Sequence, residues 1–316
     1  MESDICQMNS NVNTGRHFEP GQYIVLYFDL MGVRRSLFSG IDYHSSIVSE
    51  EKQNEIDRTS ETILGFLNGM QELHDMFTKD PSGLYETFME GESSAKTPEH
   101  KAEFLRQAKS IRMGIQQGSD TTLLYVKDDC EVARMVVSMW MTVLPLHIIA
   151  AMKSGVLIRG CFTIGTGWEI RENCLFGPVI HEAAEKEAKE ADYPRILVTE
   201  AYREMCQETL AKMSVSKPDV DPSINAFRML KEDSDRKLIF DYLGPVAMKL
   251  LKGILTGKGY ELKKLEDMLN NAVRFLEYNR RMNRENGRVV KINTQTLAYI
   301  HDSLRLHMVD GMVKLS

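Results

Sequence analysis

Residues 23–28, Tyr-Ile-Val-Leu-Tyr-Phe, form an unbroken apolar run that ends at Asp29, with Gly32 three positions on. A run of that length suits a buried strand and is too short for a core helix, so the pattern predicts a strand carrying one carboxylate to its C-terminal end. From about Ser49 the period changes. Ile56, Ile63, Leu67, Met70 and Phe77 recur at helical spacing behind Glu50 and Glu51, and Asp80-Pro81-Ser82-Gly83 stops the helix. The Gly- and Ser-bearing stretch 84–100 reads as a surface insertion.

Two β-rich runs, 110–118 and 121–126, flank Gly118-Ser119-Asp120 and predict a hairpin. An apolar helix to Lys153 follows Asp129, and Gly155 breaks it. Residues 156–164 continue through Gly165 and Gly167 toward a second pairing near 174–177. Pro178, at a favoured first helical position, opens a charged helix to about residue 191. A strand over 193–199, a helix to about Met213, a loop over 214–223 and a hairpin around Glu232-Asp233-Ser234 come next. From Pro245 onward the pattern is helical, with Leu262, Leu265, Met268, Leu269, Val273 and Phe275 on one face and a last helix over about 294–308. This order predicts an α+β fold with helices on a mostly antiparallel sheet. Residues 1–21 read as a polar lead-in, 22–243 as the main domain with an insertion near 80–100, and 244–316 as a C-terminal helical extension.

Composition narrows the function class. A net charge of -6 gives no general basic footprint, so nucleic acid is not expected as a bulk partner. Five cysteines without a C-x-x-C pair argue against structural zinc or a disulfide frame and for a reducing compartment. Glu2, Asp4 and Glu19 leave no apolar core near the start, so no signal peptide is expected. The apolar segment 132–152 holds Arg134, Pro145 and His147 and reads as a buried helix, not a membrane span. The expected location is the cytoplasm, with no membrane partner.

Asp29 by itself is equally well explained as a cap of the following helix, and Gly118-Ser119-Asp120 is ordinary turn chemistry. Together they say more. If the first strand and the hairpin are neighbours in one sheet, both carboxylates project from the same end and can share one or two divalent ions. His181 and the run Glu182, Glu185, Lys186, Glu187 and Lys189 read as a solvated helix face. Arg159, in a strand, reads as an ion-pair partner. Met135, Met139 and Met141 read as core filling.

Phe28-Asp-Leu-Met-Gly32, Ser119-Asp120, the stretch 157–165 (Leu-Ile-Arg-Gly-Cys-Phe-Thr-Ile-Gly), Cys174-Leu-Phe-Gly177 and the stretch 195–200 stand in an order that resembles the class III nucleotidyl cyclase catalytic domain. The resemblance spans residues 22–243. It implies a ferredoxin-like core that forms a homodimer with shared active sites. The implied reaction is attack of a ribose 3′-hydroxyl on the α-phosphate of a nucleoside triphosphate, with two Mn²⁺ or Mg²⁺ ions as cofactors. In that reading Asp29 and Asp120 are the metal carboxylates, and Leu30 lends a backbone carbonyl. Met31, Gly32 and Val33 offer amides to phosphate, with Arg34 and Arg35 as nearby cations. Gln116 and Cys174 lie at the nucleobase, and His181 stands where the family carries a ribose-steadying Asn.

The chain departs from the family at two places. Purine cyclases pair a Lys with an Asp, or a Glu with a Cys, at the base. Gln116 fits neither pair, and Cys174 alone looks like the guanylate version. Glu185 stands where the family has an Arg, and it cannot replace that positive charge. Arg34, Arg35 and Arg159 are the candidate substitutes. Among relatives, the chain is most similar to the bacterial Pycsar-type pyrimidine cyclases of anti-phage signalling. That implies cyclic UMP or cyclic CMP as product, read by a separate effector protein. The alternatives are a purine cyclase and a non-catalytic, cyclase-like nucleotide-binding protein.

Overall fold

The computed structural model describes residues 20–31, 49–88, 97–118, 120–213, 226–257 and 262–308. Strand β1 (Gly21–Met31) is the centre of the sheet. It pairs antiparallel with β3 (Thr121–Lys127) on one edge and with β4 (Leu157–Arg171) along its whole length on the other. Outside β3 lies β2 (Met113–Gln117). Beyond β4 come β6 (Ile196–Val198), β8 (Leu238–Phe240) and β7 (Leu230–Glu232), while β5 (Cys174–Phe176) folds back on the far end of β4. Only β4 and β6 run parallel. The protein is therefore α+β with a mixed, mostly antiparallel sheet of eight strands.

Alternation along β1 divides the sheet into two faces. Ile24, Leu26, Phe28 and Leu30 point to the side covered by α1 (Glu50–Lys79), α4 (Glu131–Lys153) and α6 (Glu200–Met213). There Phe28 meets Phe66 of α1 edge-on at 5.9 Å, and Phe162 of β4 meets Tyr202 of α6 at 5.6 Å. The Tyr202 hydroxyl reaches Met141 Sδ, tying α6 to α4. By length and composition α4 could cross a membrane, yet most of it is buried inside this layer. Val25, Tyr27 and Asp29 point to the opposite side. This second face is covered by α5 (Pro178–Glu190) and by the β4–β5 hairpin. Close approach there depends on small residues: Gly165 and Gly167 lie against Val179 of α5.

The helix boundaries follow local chemistry. Ser49 caps α1 by accepting from the Lys52 amide, and Asp80 ends it. The stretch expected as a surface insertion is helical at both ends. Helix α2 (Pro81–Phe88) and α3 (Pro98–Ser110) both begin on proline, and Thr97 caps α3 through the His100 amide. Tyr85 and Phe104 pack edge-on at 5.2 Å and, with Val132, form a satellite core. One buried aromatic on each short helix is too sparse a pattern to show a period in the sequence.

Helices α7 (Pro245–Gly257), α8 (Leu262–Met282) and α9 (Gly287–Met308) are not a separate layer of their own, and α9 starts earlier than its apolar period suggests. Leu251, Leu265, Leu276 and Ile300 belong to the same apolar cluster as β1. Tyr299 of α9 donates to Asp241 Oδ1 at 3.0 Å and accepts from the Leu243 amide at 3.1 Å, which anchors α9 to the end of β8. Arg195, 3% exposed, donates to Asp233 and Asp235 and so holds the β7–β8 turn against the entry to β6.

Gly160 of β4 lies so close to β1 that a Cβ would collide with the Tyr27 carbonyl oxygen. Gly160→Ala is therefore expected to destabilise the fold by about 1–3 kcal/mol, the usual range for overpacking. Chemical denaturation should show a lower midpoint at an unchanged slope; an unaltered midpoint would rule out this contact as a constraint.

Candidate functional site

The register of β1 decides what meets at its C-terminal end. Asp29 stands opposite Thr121 of β3 and opposite Arg159 of β4. One step beyond, the Leu30 amide donates to the Asp120 carbonyl at 2.9 Å, pinning the β2–β3 turn to β1. Asp29 and Asp120 are thus brought to neighbouring positions at one end of the sheet. Neighbouring strands lie about 4.8 Å apart, so the two residues stand on adjacent strand ends.

A cation already stands there. Arg159 Nε donates to Asp29 Oδ2 at 2.9 Å and also makes a close ion-pair contact with Glu187 of α5. The Asp29 side chain is 16% exposed, that of Arg159 20% and that of Glu187 4%. Burial pushes the Glu187 carboxyl up to about 7; Arg159 opposes the rise and the charge of Asp29 adds to it. Tyr27 lies two residues before Asp29 on the same face. Burial, followed by the charges of Glu187, Asp29 and Asp120, pushes its hydroxyl up to about 12. Two carboxylates, Asp29 and Glu187, therefore meet one guanidinium, and the charge of Asp120 is also felt at the Tyr27 phenol.

Glu187 was expected on a solvated face, and this expectation fails. It stands in line with Val179 and Ala183, both buried, at successive steps of four. That stripe was readable, but the surrounding charges masked it. Arg159 is the ion-pair partner the sequence suggested. His181 is 82% exposed, with its ring 3.8 Å from Glu185, which in turn binds Lys189. It points away from the sheet, whereas Glu182 on the inner side of α5 accepts from the Thr163 hydroxyl at 3.1 Å.

Gln116 and Cys174 are brought together. Gln116 Oε1 accepts from the Leu175 amide at 3.1 Å, and Asn173 Oδ1 accepts from the Ile115 amide at 2.9 Å. The Tyr125 hydroxyl donates to Glu169 Oε1 at 2.7 Å, so the β4–β5 hairpin crosses the face of the sheet to reach β2. Gln116 pairs with Leu123, which pairs with Tyr27, so it shares the Asp29 face two strands away, roughly 10 Å to the side. Met31 is the last residue of β1, opposite Leu157. Gly32, Val33, Arg34 and Arg35 lie outside the described residues.

Among the described residues, no group of three or more His, Cys, Asp or Glu side chains could hold a metal ion. Asp29 and Asp120 offer two carboxylates, a hard-oxygen set suited to Mg²⁺ or Mn²⁺. Such ions are commonly bound by one or two carboxylates with water and substrate phosphate completing the shell. An ion there would share Asp29 with Arg159.

No family model, no curated protein and no solved structure matches the chain.

The raised carboxyl of Glu187 has a defined pH signature. Its proton is held more tightly in the folded state than its ordinary value of 4.5 allows. The stabilisation this gives is complete below that value and is lost as pH rises through about 7. Glu187→Gln removes the titration. Its melting temperature relative to the parent should therefore climb between pH 5 and pH 8, and parallel curves for the two proteins would refute the assignment.

Proposed function

We propose that the chain is a metal-dependent nucleotide cyclase with a class III-like core. It converts a pyrimidine nucleoside triphosphate, UTP or CTP, to the 3′,5′-cyclic monophosphate and pyrophosphate. The observation that carries this reading is the adjacency of Asp29 and Asp120, fixed by the β1–β3 register and by the Leu30–Asp120 hydrogen bond. A turn aspartate beside a strand-end aspartate offers two hard-oxygen donors, which could seat a phosphate-bound cation.

In the proposed reaction the 3′-oxygen attacks the α-phosphorus, a new O3′–P bond forms, and the bond to the β-phosphate oxygen breaks. Pyrophosphate leaves, and the hydroxyl proton passes to solvent or a neighbouring carboxylate. Asp29 and Asp120 would hold Mg²⁺ or Mn²⁺, whose charge offsets that of the triphosphate. The chain's own contribution includes the Arg159 guanidinium, which Glu187 keeps beside the site when Asp29 turns to other partners. Arg159 thereby takes the part of the positive charge that Glu185 cannot supply. Gln116 and Cys174 share the face on which a base would lie, without either purine-reading pair, and this favours a pyrimidine. The remainder of the reading is a cytoplasmic homodimer with shared sites, making a second messenger in anti-phage defence for a separate effector.

A second reading, a cyclase-like protein that binds a nucleotide without turning it over, draws on the ion pair that Arg159 makes with Asp29. One assay separates them. The purified chain is incubated with Mn²⁺ and each of UTP, CTP, GTP and ATP, and cyclic product and pyrophosphate are measured. Cyclic UMP or cyclic CMP is expected. Product from GTP or ATP alone favours the purine alternative, and no product from any of the four defeats the cyclase reading. Asp29→Ala and Asp120→Ala should each lower turnover more than about 100-fold, beyond the effect of typical outer-sphere partners, with an unchanged circular dichroism spectrum.

A further inference from the structure

The net charge of -6 is a sum over a chain whose charges are segregated. From Arg274 to Arg288, across the end of α8 and the start of α9, five arginines stand against two glutamates. Arg274, Arg281, Arg284 and Arg288 are exposed. None of these four side chains makes a hydrogen bond or ion pair within the described residues. Elsewhere Arg106, Arg134, Arg159, Arg195 and Arg203 pair with carboxylates, while the exposed Arg171, Arg228 and Arg236, which form no ion pair among the described residues, are scattered along the chain and do not gather four to a corner. Two of the few exposed large apolar side chains share the corner: Tyr278, 57% exposed, and Met282, 65% exposed. Tyr278 follows Arg274 by four along α8, and Arg281 and Met282 follow Tyr278 by three and four, so they form a single solvent-facing stripe.

Stability does not account for this corner. Arg281 suits the C-terminal end of α8, but Arg288 sits in the first turn of α9, where the helix dipole disfavours a cation and where no acidic residue stands. Unpaired guanidinium groups at that spacing match phosphate oxygens, which they bind in fork geometry. An exposed tyrosine ring among them offers a stacking platform for an unpaired base. A bilayer is the weaker partner. The apolar face of α8, Leu265, Leu269, Ala272 and Leu276, is buried in the core, which leaves only Tyr278 and Met282 to enter lipid.

We propose that this corner, Arg274, Tyr278, Arg281, Met282, Arg284 and Arg288, binds the phosphate backbone and bases of a single-stranded polynucleotide. The surface belongs to the C-terminal helices and not to the Asp29 face, so the proposal does not rest on the cyclase reading.

The test uses the full chain and fluorescence anisotropy with labelled poly(U) RNA, oligo(dT) and a duplex, each of about 20 nucleotides, longer than the usual single-strand site sizes. Single strands should bind more tightly than duplex, with a log–log salt slope near -3, as expected for about four phosphate contacts. The double variant Arg281→Glu/Arg284→Glu should weaken binding at least about tenfold and flatten that slope. Tyr278→Ala should weaken it about tenfold at an unchanged slope. Asp29→Ala should bind as the parent does. The proposal is overturned if no strand binds at low salt, if the double variant binds normally, or if Asp29→Ala abolishes binding. It is also overturned if phosphatidylserine vesicles bind through these arginines while RNA does not.

Discussion

Strand β1 is hydrogen-bonded along both edges and buried on both faces, and its register against β4 is the constraint from which the remaining arrangement follows. A slip of one residue would exchange the faces, sending Phe28 toward α5 and Asp29 into the aromatic layer with Phe66 and Phe162. Each of Ile24, Leu26 and Phe28 contributes on the order of 1.5–3 kcal/mol through burial, so that exchange is strongly disfavoured. Gly160 adds a steric condition, because only a residue without a side chain lets β4 approach the Tyr27 carbonyl. The same register places Asp29 against Arg159 and beside Asp120. Packing on one face thereby fixes chemistry on the other.

That chemistry is a poor source of stability. Bringing two carboxylates, Asp29 and Glu187, and the Arg159 guanidinium into a partly buried cluster carries a desolvation penalty that the ion pairs do little more than offset. The raised Glu187 carboxyl reflects the imbalance directly, since burial and Asp29 outweigh Arg159 there. In the proposed function, a phosphate-bound cation held by Asp29 and Asp120 would add positive charge beside this cluster.

Charge is organised at the scale of the whole molecule as well. In the body of the protein nearly every buried charge has a counterpart, as at Arg195 with Asp233 and Asp235 or Arg134 with Asp128. At the α8–α9 corner the arginines lack carboxylate partners and face water. The two regions are joined by apolar packing: α8 lies against α4, α4 supports the sheet, and Tyr299 ties α9 to the strand end at Asp241.

Local pattern was sufficient for β1, α1, α4 and the β2–β3 hairpin, because in each a single period or a turn signal runs without competition. It also made Asp29 and Asp120 legible as strand-end and turn carboxylates, with Arg159 as an ion-pair partner. Helices α2 and α3 escaped it, since each buries a single aromatic and gains its place only from the other. Glu187 escaped it for a different reason: its position behind Val179 and Ala183 is readable, but whether that stripe meets solvent or the sheet depends on how α5 docks. Sequence thus determined which residues could carry charge to the end of the central strand. Only the tertiary structure decided which charges meet, because pairing across β3, β1, β4 and α5 joins residues more than a hundred positions apart, and no local periodicity encodes that distance.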